Sequence, residues 1–179
     1  MTSFQSERLF FSPLTAKDVS SIHALHSIPE VVTFNTIGIP ANKAATSAIL
    51  TQKLDPKNTA HRGWIIRDFQ QNFIGEMGLV LAPQRFKKAE ISYSIHPTHW
   101  RKGYATEALC KGLEFAFNTL KLRRIEAGVA VANLPSIRVL EKAGLRREGQ
   151  HRKILPLITG WSDNYTYAIL ATDYKQVKQ

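Results

Sequence analysis

The sequence predicts an α/β protein in which a mixed, mostly antiparallel central sheet is flanked by helices. Extended segments at 63–68, 72–81 and 89–95 follow one another across short polar links. Such links favour antiparallel pairing, because a parallel return requires a long crossover. From Gly103 the apolar positions change to helical spacing, at Ala105, Ala108, Leu109, Leu113, Ala116, Phe117 and Leu120, and residues 124–131 then return as a strand. This strand, helix, strand unit is a right-handed crossover that sets segments 89–95 and 124–131 side by side and parallel.

The remaining elements fit around that sheet. Residues 9–13 read as a first strand, after which Thr15 or Asp18 caps a helix with Val19, Ile22 and Leu25 on its apolar side. Pro29 ends that helix or opens a new turn. A second helix spans 43–54 and is stopped by Asp55-Pro56-Lys57-Asn58. Beyond the crossover, a helix runs over 135–142 with Gly144 as its carboxyl-terminal cap, and strands at 145–154 and 164–171 complete the sheet. With 179 residues the chain suffices for one well-packed domain, 1–179, and falls short of two.

Composition narrows the function classes. Apolar residues make up 44% and charged residues 21%, ordinary globular usage that argues against disorder. The segment Met1-Thr2-Ser3-Phe4-Gln5-Ser6-Glu7-Arg8 lacks a positive run followed by an apolar stretch, and no run reaches ~18 apolar residues, so a soluble cytoplasmic protein with no membrane partner is expected. The single cysteine, Cys110, has no partner for an internal disulfide, and its helical, apolar neighbours predict a packed thiol. Lysine and arginine exceed acidic residues by 24 to 14, a net charge of +10 that attracts polyanions of any kind. These cations are spread along the chain without a basic tail or zinc-finger spacing, which disfavours a nucleic-acid module. The six histidines form no cluster, so no metal site is expected.

The richest chemistry lies in Ile95-His96-Pro97-Thr98-His99-Trp100-Arg101-Lys102-Gly103-Tyr104-Ala105-Thr106-Glu107-Ala108, which leaves a strand and enters a helix. The first turn of a helix carries N–H groups without internal partners and the positive end of the helix dipole, a natural seat for a pyrophosphate. Gly103 lets the backbone approach such a group closely, and Arg101 and Lys102 add charge. The plainer reading is a glycine loop with solvated basic residues. The further glycines of a dinucleotide-binding turn and the Gly-Lys-Ser/Thr of a nucleotide-hydrolase loop are both missing.

Four stretches in order carry a resemblance: Ser6-Glu7-Arg8-Leu9; Phe73-Ile74-Gly75-Glu76-Met77-Gly78-Leu79 with Ala89-Glu90-Ile91-Ser92-Tyr93; Trp100 to Ala108; and Asn133-Leu134-Pro135-Ser136-Ile137-Arg138-Val139-Leu140-Glu141-Lys142-Ala143-Gly144-Leu145. Over nearly the whole chain the sequence resembles the GNAT superfamily of N-acetyltransferases, and within it the RimJ/RimL-like branch that acetylates amino termini of ribosomal proteins. The resemblance implies an enzyme that moves an acetyl group from acetyl-CoA to a primary amine by direct attack, without a covalent enzyme intermediate or a metal. It implies a sheet splayed between segments 89–95 and 124–131, with the thioester in the gap. It assigns the coenzyme A pyrophosphate to backbone amides of Arg101, Lys102, Gly103, Tyr104 and Ala105 with Thr106 alongside, and the pantetheine arm to the main chain of Ile95. Asn133 and Ser136 would face the pantetheine and the sulfur. Trp100 replaces the Arg or Gln usual in the superfamily, a change of little expected consequence where backbone groups do most of the binding.

Acetyl transfer needs a neutral amine, stabilisation of the oxyanion and a proton for the departing thiolate. Similarity to superfamily members with a glutamate at this strand position makes Glu90 the general base. By alternation it shares a strand face with Ser92 and Ser94. Glu76 and Glu126 are the alternatives, orienting substrate or forming ion pairs. Leu140 stands where many superfamily enzymes carry a proton-donating tyrosine. Ser136 then supports the thiolate, or water carries the proton. The acceptor pocket is expected around 31–39 and 154–163, with Phe34, Trp161 and Tyr165 lining it beside Glu76, and a homodimer through the late strands is plausible. The rival from another class is a non-catalytic acyl-CoA-binding sensor or interaction module, favoured by Leu140.

Overall fold

The computed structural model describes residues 2–177. A two-residue strand, β1 (Phe4–Gln5), precedes β2 (Leu9–Pro13), α1 (Val19–His26), α2 (Pro29–Val32) and α3 (Lys43–Leu54). The Thr15 N–H and hydroxyl donate to Asp18 Oδ2 at 2.9 and 2.8 Å across a 3₁₀ turn, Ala16–Asp18, that leads into α1, while Asp18 makes no side-chain cap bond to α1 itself. The meander is β3 (His61–Asp68), β4 (Phe73–Leu81) and β5 (Lys88–Ile95). The crossover follows as α4 (Tyr104–Glu114), which continues into a π-helical turn, Phe115–Thr119, and β6 (Arg124–Ala130). Next come α5 (Leu134–Lys142), β7 (Arg146–Leu157), β8 (Gly160–Leu170) and α6 (Ala171–Val177). Helix α5 ends as expected at Gly144, whose φ is 88°. Its N–H donates to Glu141 O and that of Leu145 to Leu140 O, both at 3.0 Å, which satisfies the last carbonyls of the helix.

The described residues build an eight-stranded sheet in the order β1-β2-β3-β4-β5-β6-β8-β7. Its parallel pair, β5 with β6, is joined over Lys88↔Arg124, Ala89↔Ile125 and Glu90↔Glu126. Beyond Glu90 the two strands part, although β5 runs on to Ile95 and β6 to Ala130. This is the splay.

Alternation gives the sheet two unlike faces. Trp64, Met77, Leu79, Ile91, Ile125 and Ala127 point to one, where they pack with Ala108, Leu109 and Leu113 of α4 and Leu140 of α5. Helix α4 sits close because Gly112 has no side chain: a Cβ there would lie 2.6 Å from Met77 Sδ and 2.9 Å from Ile91 Cδ1. On the opposite face a smaller cluster, Leu14, Ile22, Leu50 and Ile65, seats α1 and α3.

Three features differ from expectation. Cys110 is exposed, not packed, because the buried stripe of α4 is Ala108, Leu109, Gly112 and Leu113 and residue 110 turns away from it. The last two strands are longer than the polar residues around Gly160 and Asp163 suggest, and they run as a hairpin that places β8 between β6 and β7. Strand β1 and helices α2 and α6 are additional to the expected elements.

Candidate active site

The splay opens where β5 turns toward α4. The His96 N–H donates to Ile74 O at 2.9 Å, which makes these two a hydrogen-bonded pair of the antiparallel ladder. Ile95, one residue earlier, therefore directs its own N–H and C=O to the other edge, the one β6 has left. Trp100 reaches back to this edge, its indole Nε1–H donating to the Ile95 carbonyl at 2.7 Å. That bond uses one lone pair of the oxygen, leaving the second lone pair and the N–H facing the gap.

The chain then winds through a short 3₁₀ turn, Pro97–His99, and two left-handed residues, Arg101 at φ 60° and Gly103 at φ 83°. A non-glycine residue in this region is uncommon and marks a backbone held by its surroundings. The first i→i−4 bond of α4 is Glu107 N–H to Gly103 O at 3.0 Å. The N–H groups of Tyr104, Ala105 and Thr106 therefore have no intrahelical acceptor, and Gly103 has no side chain with which to cap them. Arg101 and Lys102 are exposed beside them.

The amino-terminal segment clamps this turn. Glu107 accepts from the Ser6 hydroxyl at 2.7 Å, from the Arg8 N–H at 2.8 Å and from Arg8 Nε at 2.7 Å. Arg8 Nη1 also donates to Lys102 O at 3.1 Å, and its guanidinium lies 4.7 Å from the centre of the Tyr104 ring. Burial raises the Glu107 carboxyl, but the Ser6 and Arg8 hydrogen bonds outweigh it and hold the group below its ordinary value. The sequence alone left Arg8 as part of an opening strand. Its partner lies 99 residues away.

Across the gap, Asn133 caps α5 by accepting from the Ser136 N–H at 3.2 Å. The Ser136 hydroxyl meets the Tyr93 hydroxyl at 2.9 Å. Tyr93 is absent from the expected site, and its signal in the sequence was a hydroxyl on the otherwise apolar face that it shares with Ile91 and Ile95. Leu140 is 1% exposed and packs in the core.

On the other face of the sheet a cleft of about 310 Å³ reaches the same gap, lined among others by His26, Lys53, Glu76, Ser92, Ser94 and Gly128. Glu76 Oε1 lies 2.6 Å from His26 Nε2, with 17% and 7% of the two side chains exposed. Burial raises the Glu76 carboxyl, yet the His26 hydrogen bond, aided by the charges of His26, Lys53 and His61, holds it below the ordinary carboxylate value. Burial and the neighbouring Lys53 hold the His61 imidazole below its ordinary value. Glu90 is exposed at the edge of this face, and its Oε1 is 3.6 Å from where a Cβ of residue 128 would stand. Glu126 is committed elsewhere, to Lys88 at 3.0 Å and Arg124 Nε at 2.8 Å. Of the acceptor residues expected from sequence, Phe34 is partly buried next to Asn35, Thr36 and Ile37, which line the cleft. Trp161 is 63% exposed near the β7–β8 turn and is not among the cleft-lining residues. Tyr165 pairs opposite Val129 and lies under the Arg147 guanidinium, 4.6 Å from its ring centre.

Among the described residues no group of three or more His, Cys, Asp or Glu is placed to hold a metal ion, and no helix is long and apolar enough to cross a membrane.

A splayed parallel pair, an open amide edge and an uncapped helix start after a glycine turn are the features of this site, and comparison with known proteins identifies the family that shares them. The sequence model of the family described as "Acetyltransferase (GNAT) domain" matches residues 8–146. An uncharacterized N-acetyltransferase p20 from Bacillus licheniformis is 30% identical over 176 residues, which are 97% of this chain and 99% of that protein. The crystal structure of a GNAT-family acetyltransferase from Bacillus anthracis superposes with a TM-score of 0.83 at 28% identity, covering 96% of this chain and 99% of that one. A Vibrio cholerae spermidine N-acetyltransferase in complex with CoA and spermine superposes at 0.87 with 23% identity, covering 95% and 99%, a likeness of fold. The chain belongs to the GNAT family of acetyltransferases and is an acetyl-CoA-dependent N-acetyltransferase.

Proposed function

We propose that this protein acetylates a primary amine that enters the 310 Å³ cleft, while the acetyl donor lies along the Ile95 edge with its pyrophosphate on the start of α4. The observation that carries the reading is the convergence of the two faces: Tyr93 and Gly128 line the cleft at the point where β5 and β6 no longer pair. Bound acetyl-CoA supplies the activated acetyl thioester. The chain's own groups do the rest. Backbone amides of Arg101, Lys102, Gly103, Tyr104 and Ala105, with Thr106, receive the pyrophosphate by hydrogen bonds and the helix field. Ile95 holds the pantetheine arm, and Asn133 and Ser136 flank it.

Glu90 is the general base of this proposal. In its favour, Glu76 is already bonded to His26 and Glu126 to Lys88 and Arg124, whereas Glu90 is exposed beside Gly128. Glu76 orients the acceptor, with Phe34 behind the cleft wall, while Trp161 reaches only acceptors long enough to touch the hairpin. The cleft lining carries Lys53, and Glu76 is already hydrogen-bonded to His26, a poor setting for a polycation. Monoamines are therefore favoured over polyamines such as the spermine in the Vibrio complex, either small molecules or protein amino termini of the kind the RimJ/RimL-like branch modifies. A second reading, an acyl-CoA-binding module without turnover, draws on the buried Leu140.

Calorimetric titration with acetyl-CoA, followed by free-thiol release against peptide amino termini, monoamines and polyamines, tests all of this. Binding with thiol release on one acceptor class supports the enzyme and names the class. Binding with no release across the panel supports the module, and release on polyamines alone overturns the acceptor preference.

A further inference from the structure

We propose that Tyr93 is a positioning residue for the leaving group: it fixes the Ser136 hydroxyl so that the Ser136 hydrogen points into the splay, where the sulfur departs. The inference rests on the acetyl-CoA reading above. Tyr93 stands on β5 beyond the last residue paired with β6, and its hydroxyl spans the gap to Ser136 on α5 at 2.9 Å. The serine itself is held in place, since its N–H is taken by Asn133 Oδ1.

The direction of the Tyr93–Ser136 bond decides what the serine can do. Each hydroxyl has one hydrogen and two lone pairs. A phenol is the more acidic donor and an aliphatic hydroxyl the more basic acceptor, so the favoured arrangement has Tyr93 donating and Ser136 accepting. Burial pushes the Tyr93 hydroxyl up to about 12, against the opposing effect of the Ser136 bond, so it keeps its hydrogen across the physiological range. With its lone pair engaged, Ser136 retains its own hydrogen for another acceptor. Leu140, one turn further along α5 on the core side, has nothing to donate.

In the reaction the amine nitrogen bonds to the acetyl carbon, the carbon–sulfur bond breaks and its electron pair passes to sulfur. The Ser136 hydroxyl donates to that sulfur as charge gathers there, and Tyr93 follows with a stronger bond to the serine oxygen. The proton that Glu90 takes from the amine returns to the thiol through water, which leaves Glu90, Tyr93 and Ser136 unchanged at the end of the turnover.

The same bond acts on bound CoA without any acceptor, which gives a test independent of activity. The thiol of CoA bound to wild type, Tyr93→Phe, Ser136→Ala and the double variant is titrated by the ultraviolet difference absorbance of its thiolate. We expect wild type to ionise at the lowest pH, Tyr93→Phe and Ser136→Ala each to need a pH about one unit higher, a tenfold change in ionisation, and the double variant to match Ser136→Ala because Tyr93 acts only through the serine. In turnover, Tyr93→Phe lowers kcat about tenfold to a hundredfold and leaves KM for acetyl-CoA within about twofold, since uniform binding is untouched. A Tyr93→Phe titration that superposes on wild type, or additive effects of the two substitutions, overturns the inference and leaves the acetyltransferase reading standing. Wild-type protein that fails to bind CoA overturns both.

Discussion

Replacing Gly103 separates two reasons for a glycine at the start of α4. At φ 83° an L side chain is strained, at roughly 1–2 kcal/mol. The space adds less: a Cβ there would meet Arg8 Nη2 at 3.3 Å, a tight contact that the end of this side chain relieves by giving a few tenths of an ångström against its bonds to Glu107 and Lys102. Strain therefore dominates the stability effect of Gly103→Ala. At roughly 2–4 °C per kcal/mol for a chain of this size, it should lower Tm by about 2–8 °C. Gly103→Asn is the control, because asparagine tolerates left-handed backbone and should recover most of that loss. Both variants still place a Cβ where a phosphate must approach the N–H groups of Tyr104 and Ala105. If the pyrophosphate lies there, both lose at least about tenfold in CoA affinity, or 1.4 kcal/mol. Thermal denaturation and calorimetry on the two proteins read the effects separately. Gly103→Asn with wild-type affinity would refute the reasoning, since the glycine would then serve the turn alone.

Other consequences concern the surrounding frame. Because the folded Glu76 carboxyl lies below its ordinary value of 4.5, its stabilisation is complete above that pH and is lost as pH falls through the folded value. Tm measured from pH 7 down to about 2, through the range below 4.5 where that contribution is lost, should accordingly fall less steeply in Glu76→Gln than in wild type, whereas Glu76→Ala, which strips His26 of its partner, should cost about 1–3 kcal/mol at pH 7. Gly75→Ala would drive a Cβ into the Ser94 carbonyl oxygen of the neighbouring strand. Backbone cannot step aside as a side chain does, so urea denaturation should show a loss near the upper end of about 1–3 kcal/mol. Trp100→Phe removes the donor to Ile95 O and should cost about 0.5–1.5 kcal/mol, with a severalfold loss of CoA affinity if that edge holds the pantetheine.

What the sequence could reveal follows from the range of each interaction. Alternation along residues 89–95 already groups Glu90 with Ser92 and Ser94, and the helical spacing after Gly103 locates α4, because both depend on near neighbours. The direction of the Ile95 amide is different. It depends on the register Gly75↔Ile95, which no local pattern encodes. The bonds His26–Glu76 and Tyr93–Ser136 join residues 50 and 43 apart, so no local pattern pairs His26 or Tyr93 with its partner before the sheet closes. Binding through loop backbone implies little consequence for the residue at 100, but the Trp100 indole holds a carbonyl of that backbone, a contact that depends on the folded turn. Cys110 shows the opposite error: its apolar neighbours predict a packed thiol, and the buried stripe of α4 is narrower than that composition suggests.

The two faces of the sheet pose a geometric requirement for direct attack. On the reading proposed above, the thioester lies on the α4 and α5 side and the amine arrives on the α1 and α3 side, so the reacting atoms must meet through the sheet. A continuous ladder would forbid this, and the parting of β5 from β6 beyond Glu90 removes it. The passage also needs a small residue on β6, and Gly128 supplies one among the cleft-lining residues. A Cβ at 128 would stand 3.2 and 3.3 Å from the Asn164 amide atoms and 3.6 Å from Glu90 Oε1, tight against side chains but clear of backbone. Gly128→Ala should therefore fold with a loss of about 1 kcal/mol or less and bind acetyl-CoA as wild type does in calorimetry. Its acceptor KM should rise, because the added methyl narrows the cleft next to the proposed base. Weakened acetyl-CoA binding with unchanged acceptor kinetics would place Gly128 on the donor's path instead and reverse the assignment of the two faces.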